Sequence, residues 1–245
     1  MNNEQTINML NAMKLSGMAR IFQSALERPD DDLTIDELVA RMSQSEWDDR
    51  QNNRLDRLIR AARFRYPASF AQLNFRIKRN LDRNKVMRFE DCNWIKRKQN
   101  IIVTGPTGVG KSFIACALGN QACMFGYRVL YFNAAKLFAM LKLKKADGSY
   151  IKEVKRIQKQ NLLILDDFGL EHLDRHGRLA LLEIMEDRHG VESTVITSQM
   201  PIKTWHEIIG DATIADAICD RLIHSSHRIE LKGDSVRKKF KDDLT

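Results

Sequence analysis

The sequence lacks the features that mark a membrane protein, a secreted protein or a structural zinc site. No apolar run approaches the roughly 20 residues that a membrane-spanning helix needs, and residues 1–6 lack the basic and apolar regions of a signal peptide. The 4 cysteines include no CxxC pair, which argues against a zinc site and against a disulfide framework. We therefore expect a cytoplasmic protein without membrane contact, whose thiols are reduced and packed.

The composition is otherwise that of a globular protein with an uneven charge distribution. Of the 245 residues, 43% are hydrophobic and 29% are charged, which is too apolar for a disordered chain. Within a net charge of +8, residues 1–53 carry 5 Lys and Arg against 10 Asp and Glu, whereas residues 54–100 carry 14 against 4. An acidic segment therefore precedes a basic one, and concentrated positive charge attracts phosphate backbones.

Helical patterns dominate the first 70 residues. Apolar residues recur at helical spacing over residues 18–26, before a break at Pro29, and again from a capping box formed by Thr34 and Glu37. A third, separate helix is predicted over residues 55–62, ending before Pro67. We expect residues 1–70 to form a small helical bundle and residues 71–98 to form a basic linker.

From about residue 100, short apolar runs alternate with helical stretches, which is typical of a parallel sheet covered by helices. Strands are predicted over residues 101–104, 128–132, 162–165, 194–197 and 227–231. Helices are predicted over residues 111–125, 134–143, 177–188 and 212–224. Residues 99–245 should therefore form an α/β domain.

The segment from Gly105 to Ser112 matches the phosphate-binding pattern GxxxxGK[ST] between a predicted strand and a predicted helix. Glycines let backbone N–H groups converge on phosphate oxygens, and the helix N-terminus adds partial positive charge. Lys111 should bridge the β- and γ-phosphates of ATP, and the Ser112 hydroxyl should bind Mg2+. The predicted nucleotide contacts are Gly105, Pro106, Thr107, Gly108, Val109, Gly110, Lys111, Ser112 and Phe113.

Two carboxylates end the predicted strand at residues 162–165. Asp166 is the expected Mg2+ ligand, and Asp167 is expected to orient and deprotonate the water that attacks the γ-phosphate. An isolated Asp pair at a strand end is more often a turn or a helix cap. The phosphate-binding pattern upstream favours the catalytic interpretation.

Two further residues have open alternatives. Gln199 follows the predicted strand at 194–197, where an amide could position water beside the phosphates or simply satisfy a polar turn. Arg221 could form a surface pair with Asp216 or Asp220, or act as an arginine finger on a neighbouring subunit.

Together with residues 15–20, 209–222 and 233–237, these motifs resemble the IstB family, helper ATPases of bacterial insertion sequences within the AAA+ class. The resemblance implies an AAA+ P-loop core with five parallel strands in the order 5-1-4-3-2. The few residues that follow Arg237 lead us to expect no full lid domain. It implies an N-terminal helical domain that engages the cognate transposase, and homo-oligomers that assemble with ATP on duplex DNA. Gln199 resembles the sensor 1 position, Arg221 resembles the arginine finger, and Arg237 is a candidate second sensor.

DNA binding needs clustered cations, because released counterions supply much of the affinity. The basic segment at residues 54–98 is one candidate, and residues 136–159, with 8 Lys and Arg against 2 Asp and Glu, are another. No base-reading element is recognisable, so binding should depend little on sequence. The candidate DNA contacts are Lys142, Lys144, Lys145, Lys152, Lys155 and Lys159.

Two other functions share some of these motifs. A replicative helicase loader of the DnaC type has the same core and differs in the partner of its N-terminal domain. A small-molecule P-loop kinase would need an acceptor pocket and an Arg-rich lid, and the sequence indicates neither.

Overall fold

The computed structural model describes residues 2–28 and 32–236. The chain divides into two compact units, Met1–Arg57 and Leu58–Thr245, and the division falls inside a long helix. Residues 71–98, predicted as a basic linker, belong to the second unit. No helix in the described ranges combines the length and apolar character needed to cross a membrane.

The first unit is helical, but its helices differ from the predicted ones. It contains α1 (Asn3–Ala12), α2 (Ser16–Glu27) and most of α3 (Ile35–Ala62). Helix α1 was not predicted, and the two helices predicted after residue 34 are one continuous helix. Residues 43–54 have little apolar periodicity, yet they contain no Pro or Gly, so nothing in them ends the helix.

Helices α2 and α3 pack closely against each other, and Gly17 and Arg20 of the segment 15–20 make the contacts between them. The Gly17 N–H donates to the Glu46 carboxylate at 3.0 Å, and a Cβ at Gly17 would lie 2.7 Å from the Glu46 backbone. Arg20 pairs with Asp49 at 3.0 Å. Only a residue without a side chain allows the two helices to approach this closely at Gly17.

The second unit begins with the end of α3 and a segment of short helices. Helices α4 (Arg83–Met87) and α5 (Asn93–Lys96) follow a 3-10 turn at Phe70–Gln72. Their apolar side chains are buried, which makes this segment part of the core. The buried residues of the segment are Phe70, Leu73, Leu81, Val86, Phe89, Cys92, Trp94 and Ile95.

The α/β region follows the predicted order of elements. The strands are β1 (Asn100–Thr104), β2 (Val129–Asn133), β3 (Leu162–Phe168), β4 (Ser193–Ser198) and β5 (Ser226–Glu230). The helices are α6 (Lys111–Met124), α7 (Ala134–Ala146), α8 (Tyr150–Gln158), α9 (Arg175–Arg188), α10 (Trp205–Ile209) and α11 (Ala212–Ile223). Helices α8 and α10 were not predicted.

The five strands form a parallel sheet in the order β2-β3-β4-β1-β5. This confirms the predicted order 5-1-4-3-2, written from the opposite edge. All carboxyl ends of parallel strands lie at one edge of the sheet, where ligands bind in open α/β folds. The loops after β1, β3 and β4 therefore meet at the same edge.

Helices cover both faces of the sheet. On one face, Ile102, Leu163 and Ile196 join a buried cluster with residues of α7, α9 and α11. On the other, Ile164 faces α6, where a Cβ at Gly119 would lie 2.7 Å from its Cδ1. Strands β1 to β4 are buried on both sides, as their nearly continuous apolar runs predict, whereas the edge strand β5 buries only Ile229.

Candidate functional site

The loop from Gly105 to Ser112 joins β1 to α6, and its backbone adopts conformations that favour glycine. Gly108 and Gly110 have φ angles of 83° and 96°, a region that favours glycine. The chain after β5 lies against this loop, because the Val236 N–H donates to the Gly108 carbonyl at 2.9 Å. A Cβ at Gly108 would lie 2.1 Å from the Ser235 Oγ.

Two cations hold the loop. Lys111, the first residue of α6, is 5% exposed, and its Nζ donates to the carbonyls of Gly105 and Pro106 at 2.8 Å each. Arg79, 4% exposed, donates from Nη1 to the Val109 carbonyl at 2.8 Å. The sequence motif identifies Lys111 but gives no sign of Arg79, which lies in the segment predicted as a linker.

Asp166 is fully buried at the carboxyl end of β3. Its carboxylate accepts hydrogen bonds from the hydroxyls of Tyr131 and Thr197. Burial and then the hydrogen bond to Asp166 raise the pKa of Tyr131, so the phenol stays protonated and donates. These two hydrogen bonds fix the orientation of the Asp166 carboxylate. They also offset the free-energy cost of burying it, which is large for a carboxylate without hydrogen-bond partners.

Asp167 lies beside it in a strained backbone conformation, with φ of 58°. Its N–H donates to the Thr197 Oγ1 at 3.0 Å, so one hydroxyl contacts both acidic residues. The Asn133 amide lies 3.5 Å from its carboxylate. The strand register shifts between Leu165 and Phe168, and this irregularity turns the two consecutive carboxylates to the same site.

Gln199 follows β4 and reaches the phosphate-binding loop. The Thr107 hydroxyl donates to the Gln199 Oε1 at 2.5 Å. The side chain therefore contacts the phosphate-binding loop, and its role as a sensor stays a prediction. A cavity of about 400 Å3 opens here, and its lining includes Thr107, Lys111, Asp167 and Gln199.

Arg65 is a residue of this site that the sequence does not identify. Its Nη1 lies 3.0 Å from Asp167 Oδ2 and 3.5 Å from Asp166 Oδ2. The guanidinium also lies 5.4 Å from the centre of the Tyr66 ring. In the sequence Arg65 is one of several arginines near the end of a predicted helix, and no local pattern separates it from its neighbours.

Arg221 lies at the other end of the sheet. Its carbonyl accepts from the side chain of Asn100, the first residue of β1, at 3.4 Å. Its guanidinium pairs with Glu186 at 2.9 Å, rather than with Asp216 or Asp220, the two predicted surface partners. A strand of this length separates Asn100 from Thr104 by roughly 13 Å. Arg237, the candidate second sensor, lies outside the described residues.

The donor set fits a nucleotide with Mg2+. Mg2+ prefers oxygen ligands and usually takes one or two carboxylates together with phosphates and water. Asp166 offers an oriented carboxylate, Ser112 offers a hydroxyl at the start of α6, and a cavity of 400 Å3 is within the usual size for a small-molecule site. Within residues 2–28 and 32–236 no group of three or more His, Cys, Asp or Glu side chains is arranged so that it could hold a metal ion.

The six candidate DNA-binding lysines lie on α7, on α8 and at the ends of these helices. Lys142 pairs with Asp174 at 2.9 Å, Lys144 pairs with Asp147 at 3.3 Å, and the Lys145 ammonium lies 4.7 Å from the Tyr150 ring centre. On and just after α8, exposed lysines recur at spacings of three and four residues, which places them on one helix face. These residues are Lys152, Lys155 and Lys159.

Comparison with known proteins identifies relatives along nearly the whole chain. Residues 8–243 match the family model described as IstB-like ATP binding protein. The insertion sequence ATP-binding protein y4pL of Sinorhizobium fredii is 43% identical over 234 residues, which cover 95% of this chain and 96% of that protein.

Two solved structures share the fold at lower identity. A crystal structure of DnaI has a TM-score of 0.56 and 23% identity over 67% of this chain and 91% of that one. A crystal structure of the DnaC helicase loader has a TM-score of 0.52 and 21% identity over 61% of this chain and 87% of that one. The α/β region therefore has the predicted AAA+ fold.

Proposed function

Because the chain belongs to the family of IstB-like ATP binding proteins, we propose that it is the ATP-dependent helper of a transposase. In this proposal it assembles as a homo-oligomer on duplex DNA, recruits or stimulates the transposase, and hydrolyses ATP to remodel the complex. The name of the relative y4pL, an insertion sequence ATP-binding protein, supports the link to transposition. The proposed location is the cytoplasm, where both ATP and duplex DNA are available.

The arrangement of the loop, Asp166, Asp167 and Gln199 at one edge of the sheet is the observation that carries the proposal. The loop would hold the phosphates, while Lys111 would neutralise charge on the β- and γ-phosphates. Asp166 and Ser112 would hold Mg2+, which would neutralise phosphate charge when bound. Asp167 would then orient and deprotonate the attacking water, and Gln199 would contact the γ-phosphate or this water.

The placement of Arg221 supports a site shared between subunits. Arg221 lies at the amino end of β1, whereas the phosphate-binding loop begins after its carboxyl end. An arginine in that position is too far from the γ-phosphate of its own subunit, but its side chain, 28% exposed and paired with Glu186, would act on the phosphates of a neighbour. In this proposal ATP joins adjacent subunits, and assembly depends on it.

The first unit is the proposed binding region for the transposase. Its helix α3 exposes Ile35, Val39 and Trp47, which are 80%, 53% and 61% exposed. Several exposed apolar side chains on one short unit favour a protein partner.

Assembly on DNA tests the proposal. The wild-type chain should form large complexes on duplex DNA with ATP, as measured by electron microscopy and sedimentation. Lys111→Ala should abolish ATP-dependent assembly, whereas Asp167→Asn should retain it and slow ATP turnover by about 100-fold or more, as expected for loss of a catalytic base. ATP-dependent assembly that is unchanged in Lys111→Ala would contradict the proposal.

A helicase loader is the second candidate, because DnaI and the DnaC helicase loader share the AAA+ fold. The relationship to them is a fold likeness alone, whereas the sequence match to y4pL extends over 95% of the chain. A pull-down with the full chain separates the two functions. Retention of a cognate transposase supports transposition, and retention of a replicative helicase alone supports loading.

A further inference from the structure

Arg65 contacts the two carboxylates to which the proposed function assigns the metal and the catalytic base. It lies between α3 and the buried segment at residues 70–95, outside every motif of the P-loop core. Its guanidinium contacts the Oδ2 atoms of both Asp166 and Asp167. Because one guanidinium nitrogen, Nη1, contacts both Oδ2 atoms, these two oxygens lie on the same side of the two carboxylates.

The electrostatics of the pair explain why a cation is needed there. Two adjacent carboxylates repel each other, and one of them is fully buried. Tyr131 and Thr197 donate hydrogen bonds to Asp166 but bring no charge. Arg65 brings a positive charge into hydrogen-bond contact with both acids, through the Oδ2 atom of each.

Arg65 combines a main chain close to α6 with a side chain that reaches solvent. The backbone of Arg65 and Tyr66 lies beside the buried thiol of Cys116. Its side chain, by contrast, is 42% exposed and borders the cavity beside the phosphate-binding loop. A fixed backbone with an exposed guanidinium allows the head group to move without disturbing the core.

We propose that Arg65 is a positioning residue that occupies the Oδ2 atoms of Asp166 and Asp167 and so prevents divalent cations from binding to these carboxylates without nucleotide. The phosphates of ATP attract both Mg2+ and the guanidinium, so binding of the Mg2+–ATP complex exchanges one cation for the other at the carboxylates. The proposal rests on the proposed function, because it assumes that this edge of the sheet is the Mg2+–ATP site.

Mn2+ binding to the full chain without nucleotide, followed by electron paramagnetic resonance, tests Arg65 directly. Arg65→Gln should bind Mn2+ about tenfold more tightly than the wild type, because the carboxylates no longer have a competing charge-assisted partner. Arg65→Lys should bind about threefold more tightly, since a lysine ammonium cannot contact two carboxylates as a planar guanidinium does. Adding Asp166→Asn to Arg65→Gln should remove the gain and so locate the Mn2+.

The matched control is Arg76→Gln, which makes the same chemical change at an exposed position of the following segment. Equal Mn2+ affinity in Arg65→Gln and the wild type would overturn the proposal, as would an equal gain in Arg76→Gln. If Arg65→Gln does not fold, judged by circular dichroism, an unchanged Mn2+ affinity in Arg65→Lys overturns it instead. Binding of Mg2+–ATP by the wild type is measured separately, so failure of the proposed function is distinguishable from failure of this inference.

Discussion

At the scale of single residues, Asp166 depends on partners that are distant in the sequence. It is recognisable because it follows an apolar strand downstream of a phosphate-binding motif. Its donors, Tyr131 and Thr197, lie 35 and 31 residues away and come together only through strand pairing. Arg65 is 101 residues away. Motifs in the sequence therefore identify the carboxylates, whereas the residues that orient them are recognisable only in the fold.

The glycines of the phosphate-binding loop also matter at the scale of single residues. A substitution at Gly108 can be compared with the same substitution at another glycine of positive φ. Gly108 and Gly190 both have positive φ, at 83° and 69°, but a Cβ meets Ser235 Oγ at 2.1 Å only at Gly108, while nothing lies within 4 Å at Gly190. Gly108→Ala should weaken ATP binding by about tenfold or more, because the loop must shift to avoid the clash. Titration with a fluorescent ATP analogue measures this.

Gly190→Ala is the control for backbone strain alone. It should lower the free energy of unfolding by about 1–2 kcal/mol, measured in urea, and leave ATP affinity unchanged. If both variants bound ATP as tightly as the wild type, the contact between the loop and Ser235 would have no part in shaping the site.

At the scale of secondary structure, patterning predicts the sheet well and the polar helices poorly. Strands β1 to β4 are recognisable because they are buried and give nearly continuous apolar or β-branched runs, whereas the edge strand β5 buries only Ile229. Strand β3 extends beyond its predicted end to Phe168, since the irregular register admits two acids before Phe168 packs against Trp205 at a ring distance of 4.9 Å. The two acids interrupt the apolar run, so the sequence gives no sign of the extension.

Helices α3 and α8 differ in how well their sequences indicate them. The middle of α3 is polar and gives no helical signal, although it contains no residue that breaks a helix. Helix α8 is rich in charge, but Tyr150, Val154 and Ile157 recur at helical spacing and pack against the core. The sequence therefore contains a helical pattern for α8 but none for the middle of α3.

The lysine face of α8 gives a prediction at this scale. Lys152→Glu with Lys155→Glu should weaken duplex DNA binding by about tenfold or more. It should also reduce the slope of log affinity against log salt by about 0.9 for each phosphate that is no longer neutralised. The matched control is Lys203→Glu with Lys232→Glu, which changes the net charge equally at two other positions outside α7 and α8. Fluorescence anisotropy over a salt series measures both.

Equal weakening by the two double variants would mean that overall charge, rather than α8, determines DNA affinity. No effect from either would exclude α8 as a DNA-binding surface. The remaining lysines of the cluster are less informative, because Lys142 and Lys144 already pair with Asp174 and Asp147.

At the scale of the whole molecule, the two groups that would meet across the proposed interface between subunits lie at opposite ends of β1. The phosphate-binding loop follows Thr104, and Arg221 contacts Asn100. Sequence spacing leaves two roles open for Arg221, and only the resemblance to IstB proteins favours the arginine finger. In the fold Arg221 lies at the end of β1 opposite the phosphate-binding loop and pairs with Glu186, so the arginine-finger role stays a prediction that requires a neighbouring subunit.

Mixed assemblies test whether Arg221 acts between subunits. Arg221→Ala and Asp167→Asn should each lower ATP turnover by about 100-fold or more, since an arginine finger and a catalytic base each contribute on that order or above. In a mixture, an Asp167→Asn subunit still donates Arg221 to the intact Asp167 site of an Arg221→Ala neighbour, so turnover should recover to a sizeable fraction of the wild type. Arg228→Ala, at an exposed position of β5, should remain active alone and serves as the control. Mixed complexes that form on DNA yet recover no turnover would place Arg221 outside the shared site.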